Sequence, residues 1–136
     1  MIKIDIDSKA GVWDCLERVI FYNSFELERK FSFKRVFETN KGWHVVLISN
    51  YKFDICSVEF DNGKSLKMCD YSTLIIMYQI LFGSDWKREM LNLQRVINGV
   101  KRWNILFTSS EHGEDYSGLL NEYLNLKVLA WAFQDG

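Results

Sequence analysis

The 136-residue sequence contains no proline. Without X-Pro bonds it lacks the commonest source of slow folding, so refolding is expected to show no phase that a prolyl isomerase accelerates. Stopped-flow refolding with and without the isomerase checks this. Cysteine is scarce as well. Cys15, Cys56 and Cys69 are an odd count with no CxxC pair. That argues against a secreted disulfide framework and for reduced thiols, seated among apolar neighbours as small hydrophobes. Histidine is limited to His44 and His112, and no Cys/His cluster has zinc spacing, so no metal site is expected. The eight glycines are scattered, and the P-loop, dinucleotide-binding, nucleophile-elbow and HExxH motifs are all missing. No cofactor is implied. The longest apolar run, Leu74 to Phe82, is broken by Gln79 and is too short to span a bilayer. Met1 to Asp7 alternates apolar and charged residues, unlike a signal peptide. A cytoplasmic location is the expectation. An excess of positive charge is missing too: 17 Lys+Arg face 18 Asp+Glu, a net charge of -1. This disfavours a domain that binds nucleic acid through counterion release.

What is present is a folding composition. Hydrophobic residues make up 48% and charged residues 26%, which excludes a disordered chain. Aromatic residues reach 15%, so much of the core should be ring packing. No linker or repeat interrupts the chain, and 1–136 reads as one domain.

Ile2, Ile4 and Ile6 alternate with charged residues, giving a short strand with one buried face. Ser8 is placed to cap a helix over 9–23, where Val12, Leu16, Val19, Ile20 and Asn23 share one side. From Phe25 to Glu38 the odd positions carry four phenylalanines and the even ones mostly charges. That period of two predicts one long strand with a solvated face. Its charges Glu26, Glu28, Lys30, Lys34 and Glu38 would shield a sheet edge; left bare, the same edge could accept a partner strand. Trp43 to Ile48 is apolar on both faces except for His44 and is placed centrally. Tyr51 to Phe60 and Lys64 to Tyr71 read as two further strands around Asp61-Asn62-Gly63, a type I turn with a left-handed glycine. That register sets Val58 opposite Leu66 and Cys56 opposite Met68, which disfavours a Cys56–Cys69 bridge.

Beyond the strands the period changes. Thr73 to Phe82 predicts a buried helix ending at Gly83, with Ser84 or Asp85 capping the next. Trp86, Met90, Leu93, Ile97 and Val100 form one amphipathic stripe across 86–102. Asn104 to Thr108 reads as a strand, 115–125 as a helix and Lys127 to Phe133 as a closing strand, with a helix continuing to Phe133 as the alternative. The class is α+β: an antiparallel sheet, its central meander at about 25–72, with helices packed on one face.

Charge is segregated rather than abundant. Residues 85–104 carry five cations against two carboxylates, and 105–136 carry five carboxylates against one lysine. Arg88, Arg95 and Arg102 recur every seven residues and would line one side of the predicted helix, offering a strip to a phosphate or an acidic partner. Glu111, Glu114 and Asp115, with Tyr116 beside them, would complement a basic site on another protein. Trp103 joins them as a candidate aromatic anchor. The expected function is therefore non-enzymatic: a small cytosolic inhibitor of the immunity or antitoxin kind that covers a cognate toxin, for example a nuclease. Two alternatives stand beside it. One is a ribonuclease-like or hydrolytic enzyme using His44 and His112 as general acid and base; Ser110, His112 and Asp115 also have the residue types of a triad. The other is a nucleic-acid-binding module using the basic helix 85–102.

Overall fold

The computed structural model describes residues 1–26, 30–50, 56–59, 61–69 and 71–134, with the backbone alone for 56–59, 65–69 and 128–134. Strands β1 (Ile2–Ile6), β2 (Phe31–Glu38) and β3 (Trp43–Ser49) form one antiparallel sheet in the order β1-β3-β2. The doubly apolar segment is thus central, as its sequence implies. Helices are α1 (Gly11–Phe25), α2 (Tyr71–Leu81), α3 (Trp86–Ile97) and α4 (Ser117–Gln134). This is an α+β fold.

The alternating pattern sets the core. Ile4 lies opposite Val45 and Ile2 opposite Leu47; Val36 and Phe33 flank the same two residues from the other side. All six are buried and meet Val12, Leu16, Val19 and Ile20 of α1, Ile75 and Ile76 of α2, and Leu120 and Leu124 of α4. An aromatic cluster joins three elements: the Phe31 ring lies 5.4 Å from Tyr22, 5.1 Å from Tyr78 and 5.1 Å from Phe82. The Tyr22 and Tyr78 hydroxyls are 2.8 Å apart, so the polar ends of these rings satisfy each other. The left-handed φ of +99° at Gly83 closes α2 at little steric cost.

Several sequence expectations are corrected. Helix α1 runs on through Phe25, held by local contacts: the Phe25 ring lies 4.8 Å from Phe21 one turn back, and Glu26 N donates to Tyr22 O; β2 begins only at Phe31. Residues 27–29 of the long strand expected at 25–38 lie outside the described residues. The segment 104–108 is not a strand: Thr108–Ser110 is a single 3-10 turn, and the chain before it is irregular. The closing strand expected at 127–133 is instead the second half of α4. The basic helix stops at Ile97, with Gly99 in the left-handed region. The expected 25–72 meander divides: β4 (Cys56–Glu59) and β5 (Ser65–Cys69) pair as their own two-stranded hairpin. Gly63 is left-handed, as the turn requires, and Val58 does pair with Leu66. A bulge between Cys56 and Ser57, however, brings Cys56 opposite Cys69 rather than Met68, so the register argument against a bridge no longer holds.

Cys15 behaves as a buried hydrophobe. Burial, with Asp14 adding to it, pushes its thiol up to about 12. Native protein at mildly alkaline pH should leave Cys15 unmodified by a thiol reagent until it is unfolded; peptide mapping after labelling reads this directly.

Candidate functional site

Both margins of the three-stranded sheet are sealed from within the chain. Along β2, Phe31 N donates to Asn23 Oδ1 at 3.0 Å while Asn23 Nδ2 donates to Phe31 O at 2.8 Å. Asn121 of α4 holds Phe33 in the same two-point way, at 2.7 and 2.8 Å. Val36 N donates to Asp115 Oδ1, Tyr116 N to Val36 O, and His112 N to Glu38 O. The edge is therefore closed, and strand addition along β2 has no free ladder to join.

Along β1 the closure is a buried polar network. Glu89 of α3 is fully buried and accepts four hydrogen bonds: from Gln79 Nε2 (2.6 Å), Ser84 Oγ (2.7 Å), Arg88 (2.6 Å) and Asn92 Nδ2 (3.0 Å). Those donors hold the strand in turn. Lys3 N donates to Gln79 Oε1 and Asp5 N to Ser84 Oγ, while Arg88 donates to Lys3 O and Asp85 N to Asp5 O. Asn104 reaches both Gln79 and Met1 O.

This network reassigns the basic strip. Arg88 is spent on Glu89, Lys3 O, Asn104 and Ile105 O. Arg95 donates weakly to Asn92 and Trp103 O. Arg102 is exposed and lies beyond the end of α3, so the three arginines do not share one helical side. Trp103 is buried in the core cluster. It therefore offers little ring surface to a partner.

The acidic loop is likewise largely engaged. Glu111 is buried between Arg35 (2.8 Å) and His44 Nδ1 (2.9 Å). Asp115 bonds Val36 N and Ser117 N. Partial burial opposes its ionisation, but those hydrogen bonds, the Ser117 side chain and Arg35 prevail and hold its carboxyl below the usual range. Tyr116 packs edge-on against Trp43 at 5.7 Å. Of the expected partner residues in this loop, Glu114 and Asp115 are exposed.

His44 projects from the sheet face opposite the core. Nδ1 meets Glu111, and Nε2 lies 3.6 Å from Asp5 Oδ1. Burial raises the Asp5 carboxyl above its usual range, partly offset by His44 and Arg88. The ring borders a hollow of about 280 Å³ that Asp7, Thr39, Lys41 and Ser110 also line. Neither Ser110 nor His112 makes a hydrogen bond to it, and His112 is exposed, tied to β2 through its backbone. Among the described residues no hydrogen bond links the two histidines that acid–base cleavage would need to act together. Among the described residues no group of three His, Cys, Asp or Glu converges as a metal site, and no helix is long and apolar enough to cross a membrane.

No family model, curated protein or solved structure matches this chain. Its site must be read from its own surface.

The largest departure from the ordinary pattern is α3. An amphipathic stripe normally faces the core. Here the polar Glu89 and Asn92 face inward, and the stripe is turned out: Trp86 is 64% exposed and Ile97 74%, with Met90, Leu91 and Val100 exposed beside them. Leu93 and Val96 alone lean on the core. The sequence shows the stripe but not its direction. The signal was the polar trio Gln79, Glu89 and Asn92, each in an otherwise strong helix and each needing a buried partner.

Proposed function

We propose that this chain is a non-enzymatic protein-binding domain whose contact surface is the outward stripe of α3. The carrying observation is that stripe: Trp86, Met90 and Ile97 of a well-braced helix face solvent while its Glu89 and Asn92 are buried. A rigid exposed apolar ridge is the feature from which binding hot spots are made. Phe21 and Phe25 of α1 are exposed too, their ring centroids 4.8 Å apart. Within this class the reading we favour is a small cytosolic inhibitor of the immunity or antitoxin kind, acting by covering its target. Support comes from domain size and from a polar sheet face whose side chains are paired with one another rather than poised over a substrate. Glu114 and Arg102 remain as exposed charges for the rim of such an interface.

The test is co-expression with the product of the neighbouring reading frame. The expected outcome is a stable complex and, where that product is toxic, restored growth that Ile97→Asp abolishes. Full rescue by a Trp86→Asp, Ile97→Asp double variant would place the contact elsewhere. RNA cleavage by the purified chain, lost on His44→Ala, would replace this reading with the enzymatic one.

A further inference from the structure

We infer that the α3 stripe, on the reading that it is a docking surface, takes an acidic partner: an apolar helix or ridge rimmed by carboxylates. The inference rests on where the unspent cations lie. Lys87 stands at the N-terminal end of the stripe, its Nζ 6.0 Å from the Trp86 ring. At the other end, Lys101 and Arg102 follow Val100 directly and border a hollow of about 340 Å³ that Lys3, Trp103 and Asn104 also line. Among the described residues no carboxylate lies within ion-pair distance of Lys3, Lys87, Lys101 or Arg102. Of the two carboxylates of this region, Glu89 is committed to the buried network and Asp85 accepts from Lys87 N as the cap of α3.

Exposed cations alone are usually a solvated face. These differ because Lys87 lies beside the exposed Trp86 and Lys101 follows the exposed Val100. A helix of twelve residues is about 18 Å long; Lys87 lies in its first turn, and Lys101 and Arg102 follow the left-handed Gly99 turn that ends it, so both ends of a helix-length contact have a cation nearby. Such a rim speeds the approach of negative charge and opposes positive charge. A second copy docking α3 on α3 about a two-fold axis would bring the same cations together, which argues against self-association. Nucleic acid could use the cations and stack on Trp86, but it would leave Met90, Ile97 and Val100 without apolar contact.

The experiment uses the full chain and three synthetic amphipathic helical peptides of α3's length. They share a leucine stripe and differ in having Glu, Gln or Lys along its borders. We expect the Glu-bordered peptide to bind about tenfold or more tighter than the Gln-bordered one, the advantage vanishing in high salt. Lys101→Glu with Arg102→Glu should reverse the order toward the Lys-bordered peptide. Ile97→Asp should weaken all three. These positions are exposed, so unchanged circular dichroism melts will show the variants folded. Equal binding of the three peptides overturns the acidic partner while leaving the docking reading intact. Binding of none overturns both. Tighter binding of a single-stranded RNA, or a dimer that Ile97→Asp dissolves, assigns the surface to nucleic acid or to a second copy and overturns the inference.

Discussion

Replacing Glu89 with alanine is expected to cost about 3–5 kcal/mol of folding stability, because removing one member of a buried ion pair strands the other. The loss is larger than that of a cavity alone. Arg88, Gln79, Ser84 and Asn92 all donate to this one carboxylate, and none has solvent to turn to except along the Arg88 side chain. Three of those residues also hold backbone groups of β1, so the damage spreads from α3 to the sheet. Urea unfolding followed by circular dichroism measures it. Pairing Glu89→Leu with Arg88→Met should recover part of the loss, since apolar replacement of both partners removes the stranded charge. A cost under about 1 kcal/mol for Glu89→Ala, the range of an exposed pair, would show that the network is not structural.

Asn23→Ala should cost about 2–4 kcal/mol, since it removes the one amide that bonds both the buried N–H and the buried C=O of Phe31. No hydrophobic residue of asparagine's size repairs this, because the amide acts as one more rung of the ladder. Asn121→Ala should cost less, the Phe33 contacts being only part-buried. Hydrogen exchange supplies a sharper reading than the melt. The Phe31 amide should lose protection selectively in the first variant and the Phe33 amide in the second. Equal protection in the wild type and both variants would mean that other groups already close this edge.

Much of this architecture could be read in the residues. Ile2, Ile4 and Ile6 announce β1; the doubly apolar 43–48 stretch announces a central strand; Asp61-Asn62-Gly63 announces a hairpin with a left-handed glycine. Each is a local rule obeyed locally. The failures share a different cause. Phe25 fits a strand's alternation and a helix's last turn equally well, and it ends in the helix with its ring against Phe21. Residues 104–108 have strand composition, but Asn104 is drawn off to Gln79 and Met1. The charged candidates misled most: Arg88 and Asp115 bond backbone groups of the sheet edges and Glu111 joins Arg35 to His44, so each is held by partners within the chain. Which polar residue will be buried depends on a partner distant in sequence, 76 positions away for Arg35 and Glu111, and no periodicity carries that information.

The sealed margins bear on how the chain survives crowding in a cell. Phe31 to Phe37 is aromatic, strand-forming and short, the kind of segment that seeds fibrils once its edge is bare. Many proteins guard such segments with proline gatekeepers; this one has none. Its protection is conformational, supplied by two asparagines and by the chain leading into α4. Transient detachment of α4, which would open the core at Leu120 and Leu124 and bare the β2 edge together, would therefore be the first step toward polymerisation.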